Sequence, residues 1–380
     1  MSMILPKPAA STVSAVLLCS LLLALAHPSG SYAKQTDKNA RKPATHGAKL
    51  RKVSANPDEA GEFANFTQWK EVAEFINQMA EKHGFDRGEL EAMFKKVRYL
   101  DTTIQLIKPA PPGRPKNWRA YRSRFIDPIR INAGVAFWEE HSDALARAEE
   151  RFGVPAEIIV GIIGVETVYG RNTGNFRVLD ALTTLAFDYP NTPNRTSRMA
   201  FFRGEIENTL LLARDTGVDP FSLFGSYAGA VGWPQFMPGS IRKFALDFDG
   251  DDRIDLRNSP VDAIGSVANF LVQHGWKPGE PMVFPATVAP AEPGRGWEMF
   301  IGQGLEAKFR LDELKAAGVS PTVEPPADML FGLVDLQNGG EPTEYWLGAN
   351  NFFAITKYNR SFFYAMSVIE LGRAVRTARR

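Results

Sequence analysis

The run "IIVGIIGVETVYG", residues 158–170, begins with eight letters drawn only from Ile, Val and Gly and then presents an acid, Glu166. Burying a carboxylate anion against apolar surface is costly, so the placement needs a reason. On a helix, Glu166 shares a face with Ile159, Ile162 and Ile163. Such a wall disfavours the ionised form and raises the pKa. Pro155 stands at a first-turn position and Gly170 where a helix would stop. Glu166 therefore falls near the helix C-terminus, where the negative end of the dipole opposes a further negative charge. Both effects favour a carboxyl still protonated near neutral pH, the state a general acid requires. Gly161 and Gly164 leave room for another backbone or a ligand. On the run alone, a Glu that simply reaches solvent or pairs with an Arg is the reading to prefer, since shifted carboxyls mark functional sites only statistically.

Around this run the patterning is mostly helical. Amphipathic helices are expected near 67–82 and 87–97, with Asp86 as an N-cap. "PAPPGRPKNW" (109–118) reads as an extended crossing segment, and a long helix is expected over 128–152. Further helices are expected over 196–214 and 260–276 and at the C-terminus, "RSFFYAMSVIELGRAVRTARR". A Gly-rich stretch, "GSYAGAVGWPQFMPGS" (225–240), reads as a shaped loop. From 281 to about 356 short β-like runs appear, among them "PMVFPATV", "MLFGLVDL" and "TEYWLGANNFFAI". The expected class is α+β, mainly α, with a small β portion.

The composition is that of a globular protein: 380 residues, 44% hydrophobic and 23% charged, with a formal net charge of +1. Nothing in that balance points to nucleic acid as a partner. At the N-terminus, Lys7 precedes the apolar run "VSAVLLCSLLLALA" (13–26). Ser31 and Ala33 then stand at small-residue positions suited to cleavage before Lys34. Residues 1–33 thus read as a secretory signal peptide; the run is short for a membrane span. Residues 34–60 read as a flexible basic linker, and 61–380 as the functional domain. The single cysteine, Cys19, lies inside the signal. Leu18 before it argues against a lipoprotein signal, and the mature chain would hold no thiol.

An acidic stretch, "DFDGDDRID" (247–255), places Asp247, Asp249, Asp251, the Arg253 carbonyl and Asp255 at positions 1, 3, 5, 7 and 9 of an EF-hand-like loop. Ile254 supplies the apolar position 8. Position 6 is Asp252 instead of Gly, and position 12 is Asn258 instead of Glu, so a solvated acidic turn is the competing reading. Hard oxygen ligands favour Ca²⁺, with Na⁺ or Mg²⁺ as alternatives.

Several long words, in order, carry a resemblance. "GVPAEIIVGIIGVETVYGRNTGNFRVLDALTTLAFDYP", "GSYAGAVGWPQFMPGS", "DFDGDDRIDL", "PVDAIGSVANFLVQHGW" and "ITKYNRSFFYAMSVIELG" resemble the MltB-type lytic murein transglycosylases, over about residues 65–375. The resemblance implies a lysozyme-like catalytic core with a packed helical portion. It implies cleavage of peptidoglycan between N-acetylmuramic acid and N-acetylglucosamine, leaving a 1,6-anhydromuramoyl end. It makes Glu166 the single acid and then base, where ordinary glycoside hydrolysis usually needs two carboxyls. Asp180 and Asp188 read as a helix cap and a turn. Ser226 and Gln235 match family positions that bind sugar hydroxyl and acetamido groups. Tyr121, Tyr358, Asn359 and Tyr364 match positions lining the glycan groove, and Asn359 would face an oxocarbenium-like transition state through its amide oxygen. Asp262 would close the acidic loop around a structural ion.

The resemblance implies no organic cofactor. Glycan strands are the implied partner, with envelope proteins such as penicillin-binding proteins beside them. The implied location is the periplasm of a Gram-negative cell, with the protein soluble after signal cleavage or loosely membrane-associated. Departures from the family pattern fall at Trp233-Pro234, before Gln235, and at Phe270, where some members carry Tyr. Two readings compete with this one: a lysozyme-type hydrolase, and a wall-binding protein without turnover.

Overall fold

The computed structural model describes residues 66–109, 113, 115–290 and 296–380. The expected signal peptide, the basic linker and part of the Pro-rich crossing segment lie outside them. The described chain forms two compact units.

The first unit takes 66–109 and Thr173–Lys243. Helices Lys70–His83, Arg87–Phe94 and Asp101–Ile107 open it, and Val178–Phe187 and Arg195–Thr216 complete its core. Asp86 caps the second helix as its position predicts, accepting the Glu89 N–H at 2.8 Å. Every residue of Val178–Phe187 is buried, and Phe75 packs edge-on against Phe94 and Phe187. Asp180 is buried and held by the Arg177 guanidinium at 2.6 and 2.8 Å, and it also accepts the Arg98 N–H. Asp188 accepts the Tyr99 hydroxyl at 2.6 Å. Two short antiparallel strands, β1 (Phe176–Arg177) and β2 (Phe224–Gly225), hold the start of the Gly-rich loop.

The second unit takes 115–172 and Phe244–Arg380. Its core is the Ala156–Thr167 helix, whose Ile158, Ile159, Val160, Ile162 and Ile163 have no exposed surface. This helix lies against the C-terminal helix, Phe362–Ala378. A Cβ on Gly161 would stand 2.3 Å from the Val368 carbonyl oxygen, and one on Gly372 would stand 2.1 Å from that of Glu157. Only glycine permits that approach. The room left by Gly161 is thus taken by a neighbouring backbone. The Arg376–Glu157 ion pair, at 2.6 Å, joins the two helices where Glu157 is almost wholly buried.

The expected helix over 128–152 is two helices, Pro128–Glu140 and Ser142–Phe152. His141, at φ −115° and ψ 26°, leaves the helical region between them and stacks edge-on against Phe137. Pro155 proves to be the N-cap of its helix, not a first-turn residue, and the helix stops at Thr167, three residues before Gly170. "TEYWLGANNFFAI" divides at Gly348: its first half is strand, while Asn350–Tyr358 is helix. Asn351–Thr356 are all buried there, so the helix is enclosed on every side and shows no amphipathic period.

The β portion is a five-stranded antiparallel sheet of β3 (Val283–Val288), β4 (Phe309–Arg310), β5 (Val319–Pro321), β6 (Leu330–Asn338) and β7 (Glu341–Gly348), in the order β4-β6-β7-β3-β5. The register sets Phe284 and Leu333 each opposite Leu347. One face therefore packs with Phe300, Leu314 and Phe331 into a small core of its own.

Candidate active site

Glu166 occupies the penultimate position of its helix, in the second unit, with the buried isoleucines behind it. Its side chain is half-buried. Desolvation dominates its chemistry and pushes the carboxyl up to about 7. One group works against that shift. The Tyr364 hydroxyl donates to Glu166 Oε1 at 2.6 Å, a bond that favours the carboxylate. Tyr364 sits in the first turn of the C-terminal helix, where Ser361 Oγ accepts its backbone N–H as the N-cap. The Ser-Phe-Phe-Tyr spacing thereby aims the tyrosine.

Tyr358 stacks on Tyr364, with ring centroids 6.3 Å apart and planes at 14°. Burial raises both hydroxyls well above the ordinary tyrosine pKa, and the nearby Glu166 charge adds to it. Tyr121 stands within the same field: burial first, then Glu166, raises its hydroxyl, while Arg124 opposes the shift. The tyrosines therefore stay protonated near neutral pH, and Glu166 is the group of this cluster whose pKa lies near 7. Asn359 ends the Asn350–Tyr358 helix. Its amide oxygen is buried and has no hydrogen-bond partner among the described residues. A buried acceptor left open in this way is suited to a positive centre or a donor brought by a ligand. Phe270 packs 4.7 Å from Tyr358 and 4.0 Å from His274, fully buried and without a hydroxyl to offer.

The structure brings Glu166, Tyr121, Tyr358, Asn359 and Tyr364 together in one unit. Ser226 and Gln235 belong to the other. Ser226 is buried, and its Oγ accepts the Ala230 N–H at 3.1 Å. Gln235 sits in the left-handed region at φ 51°. Its Nε2 donates to the carbonyls of Thr173 and Gly232, which leaves the carboxamide oxygen outside these bonds. Both side chains shape their own loop.

Three features were not singled out in the sequence. The chain after Glu166 turns left-handed for three residues: Val168 (φ 52°), Tyr169 (φ 56°) and Gly170 (φ 78°). For a β-branched Val this is an outlier that costs about 1–2 kcal/mol. Next, Arg130 donates through Nε at 3.0 Å to the Gly164 carbonyl, which also accepts the Val168 N–H, and so places a cation at the negative end of the helix. The signal for it was "IDPIRI", a capped start with Pro128 at the first position. Finally, Glu205 in the other unit is also pushed up to about 7 by burial. It accepts the Gly239 N–H at 2.7 Å, so a backbone group already occupies it.

In the acidic loop, carboxylate oxygens of Asp247, Asp249 and Asp251 lie within 4.8 Å of one another. Asp247 accepts the N–H groups of Gly250, Asp251 and Asp252, which curls the loop. Asp252 takes φ 66° at position 6, where an EF-hand loop has Gly, and Asp is among the residues that tolerate this region. The structure places Asp262 differently from the three clustered acids. It is buried, and its two oxygens accept the N–H groups of Phe248, Asp249 and Asp255, tying the loop to the next helix. Arg253 donates its own N–H to Asp251 Oδ1.

Residues 66–373 match the transglycosylase SLT domain family. This chain is 43% identical over 328 residues to the membrane-bound lytic murein transglycosylase B of Escherichia coli (strain K12), covering 84% of this chain and 85% of that protein. The crystal structure of the soluble lytic transglycosylase SltB1 from Pseudomonas aeruginosa matches with a TM-score of 0.73 and 46% identity, over 81% of this chain and 99% of that one. The Escherichia coli lytic transglycosylase Slt35, solved in complex with calcium, matches with a TM-score of 0.72 and 42% identity, over 84% and 96%.

Proposed function

The chain belongs to the transglycosylase SLT domain family and is a lytic transglycosylase acting on peptidoglycan, and we propose that Glu166 alone supplies its acid and its base. The protonated carboxyl gives its proton to the oxygen bridging C1 of N-acetylmuramic acid and O4 of N-acetylglucosamine as the C1–O4 bond breaks. The resulting carboxylate then takes the proton of the muramoyl 6-hydroxyl as O6 bonds to C1. The proton returns to Glu166, the ring closes as a 1,6-anhydro sugar, and no water is consumed. The observation that carries this reading is a desolvated carboxyl at about 7, held by one neutral donor at 2.6 Å. Such a group is close enough to neutral pH to serve in both states. The amide oxygen of Asn359 would face the positive charge that builds at C1. Tyr121 and Tyr358 would line the sugar path, and Ser226 and Gln235, in the other unit, would bind sugar hydroxyl and acetamido groups.

The test is product mass. Digestion of purified peptidoglycan should release muropeptides lighter by one water than their reducing counterparts. Reducing ends alone would mean that water, not O6, closes the reaction, as in a lysozyme-type hydrolase.

We further propose that the acidic loop holds a structural Ca²⁺ through Asp247, Asp249, Asp251 and the Arg253 carbonyl. Three carboxylates gathered within 4.8 Å repel one another, and a hard divalent cation relieves that repulsion. Asp262 would brace the loop from behind. Calcium at about a hundredfold over its Kd should then add about 2.7 kcal/mol. That is a rise of several degrees in melting temperature, reversed by chelator and absent in Asp249→Ala. Equal melting with calcium and with chelator would remove the claim. The signal-like N-terminus supports action in the periplasm, and no helix among the described residues is long and apolar enough to cross a membrane.

A further inference from the structure

We infer that Tyr169 is a positioning residue for Glu166: its ring is a wedge that fixes the last turn of the Glu166 helix and so aims the carboxyl. This rests on the acid–base reading of Glu166. The wedge is defined by what closes on it. A Cβ on Gly134, in the Pro128–Glu140 helix, would stand 2.4 Å from the Tyr169 hydroxyl oxygen. A Cβ on Gly164, in the Glu166 helix itself, would stand equally close. Leu371 and Val375 of the C-terminal helix border the same two points. The Phe137 ring lies 5.2 Å away, and Tyr169 is 7% exposed.

Three helices thus meet on one side chain, three residues after Glu166. One of them carries Glu166 and another carries its hydrogen-bond donor, Tyr364. The spacing of the helices sets that 2.6 Å bond, and the wedge sets the spacing. The same insertion accounts for the strained backbone, because Val168 and Tyr169 reach the wedge position only by turning left-handed. Arg130, paired with Asp127 at 2.9 Å, ties down the Gly164 carbonyl on the same turn.

The hydroxyl of Tyr169 is buried without a hydrogen-bond partner among the described residues. A hydroxyl in that state contributes nothing by bonding, so the shape of the ring carries the role. The titratable groups that face the pair are Tyr121, Tyr358 and Tyr364 around Glu166, with Arg130 and Asp127 beside Tyr169.

The experiment measures kcat, KM and the alkaline limb of the kcat–pH profile on purified peptidoglycan. It compares wild type with Tyr169→Phe, Tyr169→Leu and Glu166→Gln. Tyr169→Phe keeps the wedge and should stay within about twofold of wild type. Tyr169→Leu should lower kcat about tenfold or more with KM nearly unchanged, since small displacements of a reacting group carry large rate losses. Its alkaline limb should move to lower pH as water reaches the carboxyl. A merely structural residue would change the melting temperature and the amount of active enzyme and leave the limb in place. Should Tyr169→Leu fail to fold, Tyr169→Met is read for the same limb shift. An unmoved limb with wild-type kcat overturns the inference, as does a Phe variant that behaves like Leu. Full turnover by Glu166→Gln would instead sink the acid–base reading itself.

Discussion

Glu166→Gln should lose peptidoglycan cleavage by about a thousandfold or more while folding normally, read as released muropeptides per enzyme near pH 6. General acid–base catalysis contributes typically 10²–10⁴-fold, and here one group is asked for both transfers. Gln keeps the shape and can still accept the Tyr364 hydroxyl, but it has no acid proton to give. The same substitution carries a stability prediction of definite sign. The ordinary carboxyl value is 4.5, and in the fold it is about 7. Between those values the native state holds a proton that the unfolded chain has released, so stability falls as pH rises through that window. At 1.36 kcal/mol per unit, ionised Glu166 costs the fold roughly 3 kcal/mol above pH 7. Glu166→Gln removes that cost. Its melting temperature relative to wild type should therefore be higher at pH 8 than at pH 4. Retained cleavage would show that the carboxyl is not the catalyst, and a variant destabilised equally at both pH values would show that burial does not strain it.

The carboxyl was legible in the sequence because its environment is local. Ile159, Ile162 and Ile163 lie within two turns of Glu166, so helical spacing predicts the apolar wall and the dipole follows from position. Tyr364, 198 residues away, was visible only through resemblance. It is 2% exposed, and its hydroxyl donates to Glu166, a contact that no local spacing announces. The wedge was hidden for another reason. Left-handed Val and Tyr contradict local propensity, and only packing against Gly134 and Leu371, far along the chain, makes the conformation tenable. The helix break at His141 carries no Pro or Gly to announce it. "NNFFAI" has the aromatic character of a strand, and a helix buried on every side offers no amphipathic period to contradict that reading. In the acidic loop the spacing of Asp247, Asp249 and Asp251 was readable, whereas the turn of Asp262 toward backbone N–H groups was not. A side chain's choice between an ion and a peptide N–H is made by three-dimensional placement.

Tyr364→Phe should move the alkaline limb of the kcat–pH profile upward by about one to two units. Burial raises the Glu166 carboxyl, and the Tyr364 bond is the one opposing cause. Hydrogen bonds to charged groups are worth about 1.5–3 kcal/mol, and one unit is 1.36 kcal/mol. Without the donor the carboxylate is stabilised less, and the proton is kept to higher pH. Wild-type activity should decline tenfold per unit above about pH 7 as the acid form is lost, while the variant should hold its own plateau further into alkali. That plateau should itself fall on the order of tenfold, because the carboxyl loses the bond that orients it. KM should change little, since a ring so deeply buried has scant surface to give a glycan. A limb that stays in place would mean that the 2.6 Å bond orients Glu166 without setting its protonation. A limb that moves down would mean that burial is not what holds the proton, and the isoleucine wall would lose its chemical purpose.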